Sequence, residues 1–131
     1  MNYGREEHTE SVLQNGKVLV TGGYGNDYRQ SAELYDPSIE NWSITSSMSY
    51  ARYGHTASVL TNEKILVTGG YHHNMTNTVE LYNPSTEDWT TFERMNYVRY
   101  YHTASVLLNG KVLVTGGFTS EDSNSNTAEL Y

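Results

Sequence analysis

The sequence contains no cysteine, which removes disulfide bonds, thiolate nucleophiles and cysteine-based zinc sites together. The redox compartment stays open, because a chain without thiols is stable on either side of a membrane. Basic residues are scarce: 8 Lys and Arg stand against 15 Asp and Glu, a formal net charge of −7 with a pI near 5.1. Binding to nucleic acid by counterion release, or to an anionic membrane, needs a basic surface that such a chain does not supply. No stretch approaches the roughly 20 consecutive apolar residues of a spanning helix, and no charged-then-apolar leader opens the sequence, so a soluble segment is expected. Phe and Trp are rare, at 2 each, whereas Tyr reaches 12. A ring with a polar tip suits half-buried edges and contact surfaces.

What is present is a unit written almost three times, with residues 52–89 as its complete middle copy. His8, His55 and His102 are spaced by 47 residues, and Gly22, Gly69 and Gly116 repeat the same step. A period of this size with four short apolar runs per unit is the mark of a radial β-repeat. The expected fold is all-β, with four-stranded antiparallel blades: blade 1 over about 5–47, blade 2 over about 52–94, and blade 3 over about 99–131 without its outer strand. Met1 aligns with Met48 and Met95, each followed by a Tyr two positions on and an Arg four positions on. Met1 therefore reads as an internal repeat position, and the chain as a piece of a longer one.

Within a unit, the first strand covers residues 8–13, 55–60 and 102–107, and small residues such as Thr56, Ala57 and Ser58 suit a crowded place near a central axis. Asn15-Gly16 and Asn109-Gly110 then predict a type I′ hairpin. Copy two has Asn62-Glu63 instead, and a Glu at positive φ costs about 1 kcal/mol, so that turn is expected to change type. The second strand, 17–21, 64–68 and 111–115, is a continuous apolar run that reads as buried on both faces. Glycine pairs end it, where a missing Cβ permits close approach of a neighbouring sheet. A phosphate-loop reading of Gly22-Gly23-Tyr24-Gly25 fails because no helix follows. Polar loops come next at 24–31, 71–78 and 118–127, the last, with Glu121 and Asp122, being the one expected to move most. In the third strand Leu34 faces one way, and Glu33 with Tyr35 the other. Asp36-Pro37 and Asn83-Pro84 begin the turn to an outer strand that carries Trp42 or Trp89.

These residues resemble the kelch repeat family: a double glycine closing one strand, then a Tyr and a Trp across a short polar turn. Here they are Gly22, Gly23, Tyr35 and Trp42, then Gly69, Gly70, Tyr82 and Trp89, continued by Gly116, Gly117 and Tyr131. The resemblance covers essentially the whole chain and assigns these positions structural roles. It implies a β-propeller of six or seven blades. It also implies that the loops leaving the glycine pairs and the segments entering the inner strands gather on one face, which often binds a peptide or protein.

By position that face holds Arg5, Arg52, Arg99, Tyr53, Tyr100, Tyr28, His72 and His73, the candidate partner contacts. Arg and Tyr dominate binding hot spots, and an Arg can grip an acidic peptide with both nitrogens. Against this, a residue that recurs in every blade can do a job common to every blade, such as bridging to a neighbour. Tyr24, Tyr71 and Phe118 lean towards that structural role. His8, His55 and His102 do not read as a metal ring, because metal nitrogens sit about 2 Å from one ion whereas packed sheets lie about 10 Å apart. His72-His73 occurs in one copy only and reads as a loop-tip contact. Glu6, Glu7 and Glu10 stand where the middle copy has Tyr53, Gly54 and Ala57, which places Glu10 in a wet central channel or at a free edge. No Ser/His/Asp constellation or close carboxylate pair stands out. Kelch-like propellers include copper radical oxidases similar to galactose oxidase, whose cofactor joins a tyrosine to a cysteine that this chain lacks. Asn41-Trp42-Ser43 and Asn74-Met75-Thr76 match the glycosylation sequon, which matters only for a secreted protein.

The expectation is a non-enzymatic scaffold without metal or cofactor, binding a protein or peptide and neither nucleic acid nor membrane. Two alternatives stand beside it: part of a larger propeller enzyme with its catalytic residues elsewhere, and a half-propeller that pairs with a second copy around a two-fold axis to close six blades.

Overall fold

Alternating apolar residues on short strands need a sheet on either side of them, and the chain provides this by stacking sheets. In the computed structural model, which describes residues 1–120 and 123–131, no helix occurs among the described residues. The movement expected at Glu121 and Asp122 lies outside them. Strands β1 (Thr9–Val12), β2 (Val18–Thr21), β3 (Ala32–Asp36) and β4 (Asn41–Ile44) form an antiparallel sheet in that order. The second sheet repeats it with β5 (Thr56–Val59), β6 (Ile65–Thr68), β9 (Val79–Asn83) and β10 (Asp88–Phe92). The third contains β11 (Thr103–Val106), β12 (Val112–Thr115) and β15 (Ala128–Leu130). Two of the loops read as irregular contain small hairpins, β7 (Tyr71–His72) with β8 (Asn74–Met75) and β13 (Phe118–Ser120) with β14 (Ser123–Asn124).

The first strands are inner strands, since β5 lies against both β1 and β11. Burial on both faces of the second strand follows from the side-chain alternation of a sandwiched sheet. Ile65 and Val67 of β6 join Leu19, Leu34, Met48 and Tyr82 in one buried cluster, whereas Leu66 joins Val79, Met95, Val112 and Val114 in another. Each such side chain contributes roughly 1.5–3 kcal/mol by leaving water. These two clusters glue sheet one to sheet two and sheet two to sheet three.

The inner hairpin differs from the type I′ expectation. Gly16 N–H donates to Leu13 O and Leu13 N–H to Lys17 O, and of the loop residues only Gly16 has positive φ, at 81°. This is a type I turn closed by one left-handed residue, one residue longer than a type I′ loop. Copy two keeps the same bonds between Leu60, Glu63 and Lys64, with Glu63 at φ 68°. The turn therefore does not change type, and Glu63 carries the strain itself.

Candidate functional site

Arginines at the start of each unit correct the expectation that they form a contact surface. Arg5 is 9% exposed, and Arg52 and Arg99 are fully buried. Arg52 Nη2 lies 2.7 Å from Glu80 Oε1, and its other nitrogen donates to the carbonyls of Gly69 at 2.6 Å and Thr78 at 3.1 Å. Arg5 pairs in the same way with Glu33 at 2.7 Å, and Arg99 with Glu129 at 2.9 Å. The carboxylates are held from the other side by backbone: Ser49 N–H donates to Glu80 at 2.7 Å, Asn2 N–H to Glu33, and Asn96 N–H to Glu129. Burial alone would raise the pKa of Glu33 and Glu129. Bonds from Asn2 or Asn96 and from the guanidinium outweigh it and hold both below the usual carboxylate range. Burial lowers the Arg52 pKa, with Glu80 opposing. Glu33, Glu80 and Glu129 are the buried partners of these arginines, a role that reading strand by strand missed. Their signal was the recurrence of one Glu between apolar neighbours in every copy.

The repeated histidines bridge blades. His55 Nε2 is 2.9 Å from Thr9 Oγ1 and 3.4 Å from Thr21 Oγ1 of the preceding blade, and His102 meets Thr56 and Thr68 at 3.0 and 2.9 Å. Their Nδ1 atoms are buried without a partner. A neutral ring protonated on Nε2 fits this geometry, and burial lowers both pKa values, His102 to about 4. The glycine pairs lie in the same seam. A Cβ on Gly22 would come within 2.6 Å of both Arg52 O and His55 Cε1, and Gly23 N–H donates to Arg52 O at 2.8 Å. Tyr35 and Trp42 are cross-strand partners with rings 5.1 Å apart, as are Tyr82 and Trp89 at 5.0 Å. Trp89 also donates from Nε1 to Ser46 O, tying the second outer strand to the preceding link.

The remaining candidates, Tyr28, Tyr53, Tyr100, His72 and His73, are brought together. Each entering segment forms a short antiparallel bridge with the loop after the glycine pair of its own blade: Glu6 with Tyr24, Tyr53 with Tyr71, Tyr100 with Phe118. These bridges line up an arc of rings across the blades. Tyr24 meets Tyr28 at 5.4 Å, Tyr28 stacks on Tyr53 at 5.8 Å, Tyr53 meets Tyr71 at 5.5 Å, Tyr71 meets Tyr100 at 5.5 Å, and Tyr100 meets Phe118 at 5.3 Å. His72 and His73 pack on Tyr28 at 4.9 and 5.0 Å. Tyr101, which was not singled out as a contact, joins the arc 6.3 Å from Tyr53. At one end the rings border an open cavity of about 230 Å³ lined by Glu6, Glu7, Tyr24, Tyr28, Tyr53 and Tyr101. Burial, followed by nearby Tyr28 and Glu7, raises the Tyr53 pKa; burial and its bond to Glu7 raise that of Tyr101. Both phenols stay protonated at neutral pH.

Antiparallel sheets stacked through their inner strands, with the connections of one blade seated on the glycine pair of the last, define an array of β-propeller blades. The family model of the Attractin/LZTR1 beta-propeller matches residues 5–131. The chain belongs to that family. No curated protein matches the sequence.

Proposed function

We propose that this chain is a non-enzymatic scaffold of kelch-type repeats that binds a protein or peptide on the face where the loops after the glycine pairs meet the entering segments. The aromatic arc across three blades carries this reading. Its rings are surplus to the frame, whose own polar bonds run through Arg–Glu and His–Thr pairs, yet Tyr24 and Tyr101 remain 39% and 48% exposed. Clustered, partly exposed tyrosines of this kind are the usual substance of binding hot spots. The non-enzymatic part rests on how charge is used: the recurring Arg, Glu and His side chains are engaged in holding blades together. With two carboxylates and no cation in its lining, the cavity is ill suited to nucleic acid or an anionic membrane.

A displayed random peptide library panned against the chain tests this. Ligands should be returned whose binding is lost in Tyr28→Ala and Tyr53→Ala but kept in Leu108→Ala, a fully exposed residue in the turn at the opposite end of the strands. Ligands that ignore the tyrosine substitutions would overturn it.

A second reading, assembly with a second copy, is favoured by the outer faces of blades 1 and 3. Thr103 and Thr115 hold the same 2.9 Å hydroxyl pair that receives a histidine in the other two blades. His8 stands at the matching position of blade 1. Docking the His8 side of one copy on the Thr103–Thr115 side of another would extend the seam, and two such contacts close six blades. Light scattering should then give twice 14.8 kDa; a monomer at high concentration would exclude it.

A further inference from the structure

We infer that the cavity between blades 1, 2 and 3 is a cage for an organic cation, and that the partner of this face presents a lysine, methylated lysine or arginine side chain to it. This deepens the reading of the face as a binding surface and rests on it.

The cage arises where the repeat departs from itself. Positions 7, 54 and 101 are equivalent in the three copies, yet they hold Glu, Gly and Tyr. All three have positive φ, at 52°, 60° and 51°. Their backbones are linked in sequence, Gly54 N–H donating to Glu7 O at 3.3 Å and Tyr101 N–H to Gly54 O at 2.7 Å. Because Gly54 has no side chain, the Tyr101 ring lies across it: a Cβ there would be 3.1 Å from Tyr101 Cε1. The Tyr101 hydroxyl thereby reaches blade 1 and donates to Glu7 Oε2. A non-glycine residue at positive φ is strained, and such strain gathers at ligand clamps. Here it sets the wall of the cage.

The chemistry of that wall selects the ligand. Four electron-rich tyrosine rings line the cavity, with Tyr24 and Tyr101 each set at about 60° to Tyr53 and Tyr28 nearly parallel to it. A cation seated over the face of such a ring is attracted by it, and clustered aromatic rings are the arrangement that recognises alkylammonium groups. Glu6 and Glu7 supply negative charge in the same lining, which contains no Lys, Arg or His. Anions are repelled there. At about 230 Å³ the cavity falls below the roughly 300–1,000 Å³ of small-molecule pockets, so it fits the end of one side chain. The sign of the ligand is thus opposite to the acidic peptide that surface arginines would have taken.

The test is an NMR titration of the 131-residue chain with ten-residue Gly/Ser peptides bearing one central lysine, trimethyllysine, arginine or norleucine. The amides of Tyr53 and Gly54 should shift with a cationic peptide, with a dissociation constant at least ten times smaller than for norleucine. Glu7→Gln and Tyr28→Ala should each weaken that binding at least fivefold. Glu6→Gln, whose backbone bridge to Tyr24 does not need the carboxylate, serves as a second variant if either fails to give a native spectrum. Which cation binds best identifies its source, and any of the three supports the cage. Norleucine binding as well as lysine, or cation binding unaffected by Glu6→Gln and Glu7→Gln, would overturn it. Tyrosine-dependent binding of neutral peptides in the library experiment would then leave the binding face standing and refute only the cation; no ligand in either experiment would refute both.

Discussion

The frame of this protein and its tyrosine face are built from equivalent positions, yet they treat repetition in opposite ways. Arg5, Arg52 and Arg99 are the same residue in the same buried pair in every blade. One and two residues later in the chain the copies diverge, to Glu6-Glu7, Tyr53-Gly54 and Tyr100-Tyr101. A bond that each blade needs to hold its connecting segment recurs with the blade. A cavity shared by three blades needs each blade to contribute something different, here Glu7, Tyr53 and Tyr101.

The largest loss is expected at the ion pairs. Arg52→Ala strands the Glu80 carboxylate in a buried place and should cost about 3–5 kcal/mol in urea unfolding; a loss below about 1 kcal/mol would mean that the pair is solvated. Next come the glycines, which compare a seam occupied by the following blade with one that is not. Gly22→Ala meets Arg52 O and His55 and should cost about 2–4 kcal/mol, overpacking and positive φ combined. At Gly116 the nearest atom to an added Cβ is 3.9 Å away, so Gly116→Ala should cost only the strain, about 1 kcal/mol. Equal losses would deny that the seam is what demands glycine.

Acid weakens the frame through its histidines and glutamates. His102 stays neutral in the fold down to about pH 4 while the unfolded chain takes up a proton near 6.5, so stability should fall as pH falls through that window. His55, also lowered, acts in the same direction. Glu33 and Glu129 have folded pKa values below 4.5; their stabilisation is complete above that pH and is lost as pH falls through the folded values. Thermal melts of His102→Gln should therefore lose much of the slope between pH 6.5 and 4 and retain the fall at lower pH. The smallest effect belongs to the face: Glu6→Gln should change stability by less than about 0.5 kcal/mol, because that carboxylate is exposed.

Much of the blade was legible in the order of residues, because hairpins are local. The apolar run of β6, the glycine pair after it and the Tyr–Trp turn each lie within a few residues of what they determine. The inner turn shows the limit even there: Asn15-Gly16 suggested two left-handed residues, and the hydrogen bonds between Leu13, Gly16 and Lys17 make room for only one. At the candidate site less was legible. Arg52 recurs visibly, but recurrence does not say whether a guanidinium points to solvent or to a Glu 28 residues away. Tyr28, Tyr53 and Tyr100 are brought together by short bridges, Tyr28 to Tyr24 within its own loop, Tyr53 to Tyr71 and Tyr100 to Phe118.

The period, the strand order, the all-β class and the excess of tyrosine and acid are all written in the order of residues, since each is a matter of spacing or composition. Folding in three dimensions is what turns arginine into the blade, sets histidine between one blade and the next, and brings Glu7, Tyr53 and Tyr101 to one cavity. Those contacts unite residues from different copies of the unit. The stacking of sheets sets such distances, and no local pattern along the chain encodes them.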